Sequence, residues 1–343
     1  MDPIGLLKDL VGIPSTTGSE GALADHLAGL FDQLPFRVLR QPVEPGRDNL
    51  FITAGEDDPK VVLCTHMDTV PGAAAATEDE KSIYGRGACD AKGSLAAMAA
   101  AAFGLADRGV SGFGLLFVVG EETDSIGART ANGLGLGSGA LIVGEPTGNK
   151  LGLGHKGALF VELHVAGRRA HSALPHLGAS AIEALLDILN SLRAADFGRD
   201  PVLGPTLLNI GRIEGGVAPN VIADEATSVL GLRPAVSCSE TLARLAEAVA
   251  GRARIEIITA SEPQKLWTLP GFETDLFPFG TDCPHLTAFG RPFLVGPGDA
   301  RWAHAEDERI AKSEILAAVP IYESLVTRLL EGEEPTAPRL GRL

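Results

Sequence analysis

The first half of the chain contains three short apolar runs, each of which ends in polar residues. Val61 to Cys64, Gly114 to Val119 and Leu141 to Gly144 are composed mainly of aliphatic and β-branched side chains. Runs of this length and composition are typical of strands that are buried on both faces of a sheet. Helical patterns follow them, and the repeated order of strand, polar end and helix predicts an α/β fold with a mostly parallel sheet.

Amphipathic patterns and shorter apolar runs predict the remaining elements. Helices are expected over residues 4–10, 20–34, 94–106, 179–192, 240–250 and 312–330. Strands are expected over residues 36–40, 49–53, 159–165, 206–213, 226–232 and 255–258. Thr16, Thr17 and Ser19 are candidates for capping the second helix. Residues 72–82 are small or acidic, which favours a surface loop.

The hydrophobic pattern changes near Gly157. Leu159 to Val165 alternates apolar with polar residues, as an antiparallel strand with one buried face does. The elements from here to about residue 266 have the order β-α-β-β-α-β, which fits a small ferredoxin-like sheet with two helices on one face. We therefore predict a catalytic domain of residues 1–156 and 267–343, interrupted by an inserted α+β domain of residues 157–266.

Composition and charge exclude several classes of protein. The chain has 343 residues and a net charge of −15, which argues against nucleic acid or an anionic membrane as a partner. Its N-terminus lacks the basic and apolar regions of a signal peptide, and no apolar run is long enough to span a membrane. The four cysteines have no CxxC spacing, which fits reduced thiols. We expect a soluble, cytoplasmic enzyme or binding protein.

Polar residues with metal-binding chemistry follow the predicted strands. His66 and Asp68 alternate with Met67 and so point the same way at the end of their strand. The other candidates at strand ends and in the C-terminal part of the chain are Asp90, Glu121, Glu122, Glu145 and His304. Five carboxylates and two imidazoles at one sheet edge repel each other unless cations hold them. Two zinc-type ions that share one carboxylate ligand would solve this problem.

Other motifs favour no competing chemistry. The segment GLGHKG at residues 152–157 matches a dinucleotide-binding pattern, but an alternating strand follows it where that pattern needs a helix. The chain contains neither HExxH nor GxSxG. A carboxylate pair could indicate a glycosidase, but that chemistry has no use for two flanking histidines. Cys89, beside Asp90, is interpreted as a packed spacer.

The ordered motifs resemble those of one enzyme family. THMD, GRGACDAKG, a Glu-Glu pair after a buried strand, GEPT and a late GPGD followed by AH are similar to the M20 family of metallopeptidases and aminoacylases. The resemblance covers essentially the whole chain, including the insert. It implies a di-zinc catalytic domain, with cobalt or manganese as other metals that the same ligands accept. It also implies a homodimer that forms through the insert, which acts as a lid and dimerisation domain.

The resemblance implies a role for each candidate residue. It places His66 and Glu145 on one metal, Glu122 and His304 on the other, and Asp90 between them. Asp68 orients His66, and Glu121 is the general base. The Asp90–Ala91 peptide bond is expected to be cis.

Residues beyond the metal ligands are expected to bind the substrate. In the insert, His171 is expected to stabilise the tetrahedral intermediate in the active site of the partner subunit. Arg233 and Asn220 match lid positions that hold a substrate carboxylate. Thr281, in the segment FGTDCPHL, is a further substrate-binding candidate, and the neighbouring Asp282 would favour a cationic substrate.

The expected activity is removal of an acyl group from an N-acyl amino acid by a metal-bound hydroxide. Among the branches of the family, the motifs look most like N-acetylornithine or N-acetylcitrulline deacetylases of arginine biosynthesis. Succinyl-diaminopimelate desuccinylases and the carrier-protein-linked lysine or ornithine hydrolases of lysine biosynthesis are the alternatives within the class. A broad dipeptidase and a non-catalytic, metal-stabilised binding protein on the same fold also remain open.

Overall fold

The computed structural model describes residues 1–32, 35–55, 58–72, 75–135 and 137–337. The chain divides into two compact units. Among the described residues, unit 1 consists of Met1–Leu153, Leu266–Leu276 and residues 281–337, and unit 2 consists of Gly154–Lys265 and Phe277–Gly280. Unit 2 is therefore an insertion in the sequence of unit 1, and its main segment begins three residues before the predicted boundary at residue 157.

The described residues form seven α-helices and twenty strands. The α-helices of the described residues are α1 (Pro3–Gly12), α2 (Gly21–Phe31), α3 (Lys92–Asp107), α4 (Ile126–Asn132), α5 (Ala181–Ala194), α6 (Cys238–Val249) and α7 (Lys312–Leu330). The strands of the first half are β1 (Phe36–Glu44), β2 (Arg47–Ala54), β3 (Val61–His66), β4 (Thr77–Glu78), β5 (Ser82–Tyr84), β6 (Phe113–Val118), β7 (Ala140–Val143), β8 (Leu151–His155), β9 (Ala158–Ala166) and β10 (Ala170–His171). Those of the second half are β11 (Arg199–Asp200), β12 (Gly204–Pro205), β13 (Leu207–Gly215), β14 (Val221–Ile222), β15 (Glu225–Arg233), β16 (Arg254–Ser261), β17 (Gln264–Lys265), β18 (Thr274–Phe277), β19 (Arg291–Leu294) and β20 (Arg309–Ala311).

A six-stranded sheet forms the centre of unit 1. Its order is β1-β2-β6-β3-β7-β19. The pairings of β3 with β6, β3 with β7 and β7 with β19 are parallel, whereas β1, β2 and β6 pair antiparallel. The sheet is therefore mixed, and its parallel half contains the three apolar runs identified in the sequence. Every residue of β3, β6 and β7 is buried, as continuous apolar runs require.

The Ala-rich helix α3 lies in the core of unit 1. Its residues from Lys92 to Ala102 are all buried, and it packs against α1 and α7. Alanine side chains allow this close packing of helices. The buried ammonium group of Lys92 donates hydrogen bonds to the carbonyl oxygens of Leu10 and Ile13 at 3.0 and 2.8 Å. Lys92 thereby donates to two carbonyl groups at the C-terminal end of α1, of which that of Leu10 also accepts the N–H of the C-cap residue Ile13.

The longer elements of unit 2 have the predicted order β9-α5-β13-β15-α6-β16, with the two-residue strands β10, β11, β12 and β14 between them. The four longer strands form an antiparallel sheet with the order β13-β15-β9-β16. Alternate residues of β9 are buried, including Val161 and Leu163, and they pack in one apolar cluster with residues of α5 and α6. The alternation seen in the sequence therefore reflects one face that is covered by helices and one that is not.

Three local predictions were wrong. Residues 72–82 are not simply a loop, because β4 and the start of β5 lie there, and β5 pairs with β20 from the far end of the chain. Residues 73–74 of this stretch lie outside the described residues. Helix α2 was predicted to end at residue 34, but it ends at Phe31. Residues 33–34 lie outside the described residues. The N-cap of α2 is Glu20, which makes no side-chain cap hydrogen bond, so none of the three capping candidates caps it.

Candidate metal centre and active site

The parallel strands of unit 1 bring the candidate residues to one edge of the sheet. His66 is the last residue of β3, and Asp68 follows two residues later. Glu121 and Glu122 follow β6, and Glu145 follows β7. Because β6 and β7 both run parallel to β3, their carboxyl ends lie at the same edge.

A first group with the chemistry of a metal site contains His66, Asp90 and Glu145. One potential ligand atom from each of the three lies within 4.8 Å of the others. His66 Nε2 is 3.1 Å from Asp90 Oδ1 and 3.9 Å from Glu145 Oε2. His66 and Glu145 are buried, so their positions are fixed by the sheet.

A second group contains Asp90, Glu122 and His304, and one potential ligand atom from each of these residues lies within 4.8 Å of the others. His304 Nε2 lies 3.0 Å from Glu122 Oε2 and 3.5 Å from Asp90 Oδ2. His304 is half-exposed and has a φ of 62°, a backbone conformation that is uncommon for a residue other than glycine. Asp90 belongs to both groups, and it presents Oδ1 to His66 and Oδ2 to His304.

Asp90 lies in a short segment between β5 and α3. The Asp90–Ala91 peptide bond is cis, which confirms the expectation from the resemblance. Cys89 is buried beside it, and burial raises the pKa of its thiol. All four cysteines are free and buried. Cys89 therefore has the properties of a packed spacer rather than those of a reactive thiolate.

Glu308 was not among the residues predicted for the site. Its Oε1 accepts hydrogen bonds from the backbone N–H groups of Cys89 and Asp90 at 3.0 and 3.1 Å, and its Oε2 accepts one from Arg86 at 2.6 Å. The only available signal was a further acidic residue four positions after His304, in a region that is rich in exposed acidic residues.

Asp68 connects several parts of the site. His66 Nδ1 lies 2.9 Å from the main-chain oxygen of Asp68 and 3.5 Å from its Oδ1. The Asp68 carboxylate also accepts the backbone N–H groups of Glu121 and Glu122 at 3.0 and 3.1 Å, and the hydroxyl of Thr17 at 2.8 Å. Although burial opposes ionisation, these donors and His66 lower the pKa of Asp68.

The close packing of carboxylates shifts the pKa values of this centre. Burial raises the pKa of Glu121 and of Glu145 well above the usual value, His66 opposes this rise, and neighbouring carboxylates add to it. Burial acts to lower the pKa of His66, but the carboxylates of Asp68 and Asp90 outweigh burial and raise it. For the two glutamates the shifts therefore reflect burial first and the closeness of other carboxylates second.

The donor set fits divalent cations of the zinc type. Each group of three offers one imidazole and two carboxylates, which are ligands that zinc, cobalt and manganese accept. Among the residues that the structure describes, no lysine or arginine lies within 4.0 Å of the carboxylates of Asp90, Glu121, Glu122 or Glu145. No lysine or arginine of the described residues therefore balances the charge of these carboxylates, and two bound cations would do so.

Three of the predicted substrate-binding residues belong to unit 2. His171 lies on β10, which pairs with β14, and the N–H of Ser172 donates to the carbonyl oxygen of Asn220 at 3.0 Å. Unit 2 thus brings His171 and Asn220 together, and both are exposed. Arg233 ends β15, and its guanidinium group lies 5.6 Å from the centre of the Phe160 ring.

Thr281 and Asp282 belong to unit 1, where both are buried. Burial raises the pKa of Asp282 to about 6, while a hydrogen bond from Ser125 opposes this rise. Among the described residues, Asp282 Oδ1 has no hydrogen-bond partner. The sequence singled out this segment, and the structure adds that the Asp282 carboxylate is buried and incompletely hydrogen-bonded.

Comparisons with known proteins identify the family. A family model described as the peptidase dimerisation domain of M20 proteins matches residues 153–256. A peptidase M20 domain-containing protein of Schizosaccharomyces pombe is 39% identical, over 94% of this chain and 84% of the relative. The chain belongs to the M20 peptidase family. A probable carboxypeptidase of Emericella nidulans is 34% identical to this M20 protein, over 96% of the chain and 89% of the relative.

Solved structures agree with this assignment at the level of the fold. The crystal structure of the aminopeptidase PepT from Bacillus cereus has a TM-score of 0.81 and 20% identity, and covers 96% of this chain and 98% of its own. The fold is therefore the M20 fold, with a catalytic and a dimerisation domain. The prediction of a hydrolase acting on amide bonds is confirmed by the M20 relatives. Within the described residues, no helix of this M20 protein is both long and apolar enough to cross a membrane.

Proposed function

We propose that this M20 protein is a dinuclear metal-dependent hydrolase that cleaves the amide bond between an acyl group and an amino acid with a free carboxylate. The observation that carries the proposal is the position of Asp90. Its two carboxylate oxygens face the two histidines, Oδ1 toward His66 and Oδ2 toward His304. A carboxylate with this arrangement is suited to bridge two cations.

The residues of the two groups would hold two ions. His66, Asp90 and Glu145 would bind one, and Asp90, Glu122 and His304 would bind the other. Zinc, cobalt or manganese in these sites would polarise the scissile carbonyl group and lower the pKa of the attacking water. Asp68 would keep the Nε2 of His66 directed at the site, because its oxygens occupy the surroundings of Nδ1.

Glu121 is the proposed general base. It is adjacent to Glu122 in the sequence, its backbone N–H is held by Asp68, and neither metal-binding group includes it. Its side chain is therefore free to accept a proton from the attacking water. The same carboxyl group then donates that proton to the nitrogen of the leaving amine as the C–N bond breaks. Partial burial and neighbouring carboxylates raise its pKa and make the protonated form accessible.

Substrate binding is proposed to use unit 2 of a homodimer. Arg233 has no carboxylate within 4.0 Å among the described residues, so its guanidinium group is available for a carboxylate of the substrate. His171 and Asn220 are neighbouring and exposed. By resemblance, they act on the substrate in the active site of the other protomer, where His171 would donate a hydrogen bond to the tetrahedral oxyanion.

The proposed substrate is a short peptide or N-acyl amino acid that ends in a free carboxylate. Relatives named as probable carboxypeptidases favour this choice, because a carboxypeptidase and an N-acyl amino acid deacylase both cleave an amide bond next to a free carboxylate. Among N-acyl amino acids, N-acetylornithine is the first candidate, and N-acetylcitrulline and succinyl-diaminopimelate are the alternatives. The incompletely hydrogen-bonded carboxylate of Asp282 favours a substrate with a cationic side chain.

The proposal is tested with purified protein that has been loaded with zinc. Rates are compared on N-acetylornithine, N-acetylcitrulline, succinyl-diaminopimelate and a neutral dipeptide, each beside the same compound with its carboxylate amidated. We expect hydrolysis that depends on the free carboxylate and that falls by at least a thousandfold in Glu121→Gln, with two metal ions per chain retained. A Glu121→Gln protein that keeps its activity would contradict the assignment of the base. Two bound ions without hydrolysis of any compound would favour a metal-stabilised binding protein.

A further inference from the structure

Glu308 connects the two segments that carry Asp90 and His304. It lies four residues after His304, and its buried carboxylate faces the segment that ends at Asp90. Oε1 accepts the N–H groups of Cys89 and Asp90, and Oε2 accepts the guanidinium group of Arg86. All of these neighbours are hydrogen-bond donors.

The main chain of Glu308 is attached to the same segment. Its carbonyl oxygen accepts the N–H of Gly85 at 2.9 Å. The next residue, Arg309, begins β20 and pairs with Tyr84 of β5. Glu308 is therefore bound to residues 85–90 through both its main chain and its side chain, and few residues separate it from His304.

The two metal-binding groups are supported in different ways. His66 ends β3 and Glu145 follows β7, two buried strands of the central sheet, and both residues are themselves buried. His304, in contrast, lies in a loop, and its side chain is 50% exposed. The position of His304 relative to Asp90 therefore depends on the contacts between two loops, and Glu308 makes several of these contacts.

We propose that Glu308 is a positioning residue that sets the distance between Asp90 and His304 and thereby the affinity for one of the two metal ions. This inference rests on the proposed function, because it assumes the metal site. It predicts an asymmetric effect. Loss of Glu308 weakens the ion held by Asp90, Glu122 and His304 more than the ion held by His66, Asp90 and Glu145.

The conservative variant Glu308→Gln tests the proposal directly, because the side chain is surrounded by hydrogen-bond donors that an amide cannot all satisfy. A carboxylate can accept from two backbone N–H groups and one guanidinium group at the same time. A glutamine amide has one oxygen and one NH₂ group, so its NH₂ must face either the backbone donors or Arg86. Glu306→Gln is the matched control, because it removes the same charge from an exposed residue two positions away.

Stepwise binding of Zn²⁺ to the metal-free protein is measured by competition with a chromophoric chelator, and Co²⁺ absorption reports the ligand geometry. His304→Ala identifies which step belongs to the second group. In Glu308→Gln we expect the Kd of that step to rise at least tenfold and the Kd of the other step to change less than threefold. Glu306→Gln should change neither value. Arg86→Met, which leaves both backbone hydrogen bonds in place, should raise the same Kd by a smaller factor.

Several results would overturn the inference. One is a Glu308→Gln protein that melts at a lower temperature but binds both ions as the wild type does, since Glu308 would then serve stability alone. Another is an equal loss of affinity for both ions. If Glu308→Gln does not fold, Arg86→Met takes its place, and an Arg86→Met protein that binds both ions as the wild type does would also overturn the inference. A wild-type protein that binds fewer than two ions would instead contradict the proposed function.

Discussion

The carboxylate of Asp68 accepts the backbone N–H of Glu121 at 3.0 Å. Asp68, which also lies against the ring of His66, therefore holds the segment that carries the proposed base. Asp68 is fully buried and follows β3, whereas Glu121 follows β6, and these two strands are neighbours in the sheet. The side chain of Asp68 thus helps to position both a proposed metal ligand, His66, and the proposed base, Glu121.

Asp68→Asn should reduce kcat about 10- to 100-fold, because an amide donates at one of the positions where the carboxylate now accepts. The NH₂ group would face the backbone N–H of Glu121 if it took the place of Oδ1, and the backbone N–H of Glu122 together with the Thr17 hydroxyl if it took the place of Oδ2. Steady-state kinetics and metal content measure the effect. Thr17→Val, which removes one donor and keeps the carboxylate, is the matched comparison and should lose less activity. Equal rates for Asp68→Asn and wild type would show that Asp68 has no positioning role.

The shared carboxylate predicts unequal effects of removing single ligands. His304→Ala should retain about one metal ion per chain. Asp90→Asn should weaken the binding of both ions, because only Asp90 belongs to both groups. Metal content after dialysis against increasing chelator concentrations measures this difference. A loss of only one ion from Asp90→Asn would contradict the bridging role.

A homodimer whose protomers complete each other's active sites should show complementation. Glu121→Gln and His171→Ala chains are each expected to be nearly inactive. When the two are coexpressed, half of the dimers are mixed, and one of the two sites in each mixed dimer has both wild-type residues. About a quarter of the sites should therefore be active. Separate affinity tags allow the mixed dimer to be isolated and assayed, and an inactive mixed dimer would place His171 in the site of its own chain.

The buried pair of Glu20 and Arg47 predicts a large effect on stability. Glu20 is fully buried, and Arg47 donates to both of its carboxylate oxygens at 2.6 and 2.9 Å. Arg47→Met should lower the free energy of unfolding by about 3 kcal/mol, because it leaves a buried carboxylate unpaired. Arg254→Met, at an exposed ion pair with Glu256, is the control and should have no measurable effect. Urea denaturation compares the two variants, and similar midpoints would contradict the prediction.

His155 predicts a loss of stability in acid. It is fully buried, and burial lowers its pKa from 6.5 to about 4. Because the unfolded chain binds a proton at higher pH than the folded chain does, the stability is complete above pH 6.5 and is lost as the pH falls toward 4. Between pH 7.5 and pH 5, the free energy of unfolding should fall by about 2 kcal/mol more in the wild type than in His155→Asn. Urea denaturation at both pH values measures this, and an equal fall in both proteins would exclude His155 as the cause.

The sequence by itself determined the parts of this protein that have a regular pattern. Apolar runs predict buried strands because both faces of β3, β6 and β7 exclude water. Alternation predicted the sheet of unit 2, where one face is covered by helices. The candidates His66, Glu122 and Glu145 followed from their positions at strand ends, since parallel strands end at a common edge. Asp90 and His304 lie in loops, and their roles as ligands rested on the resemblance to the M20 family.

Only the tertiary structure decided which side chains support the site. Thr17 was a candidate for capping a helix, yet its hydroxyl donates to Asp68, 51 residues away in the sequence. Glu308 bonds to the backbone of Asp90 across 218 residues, and β4 and β5 form a small sheet with β20. Hydrogen bonds of this kind leave no periodic trace in the sequence. They depend on the folding of distant segments against one another, which fixes the partners of each polar group.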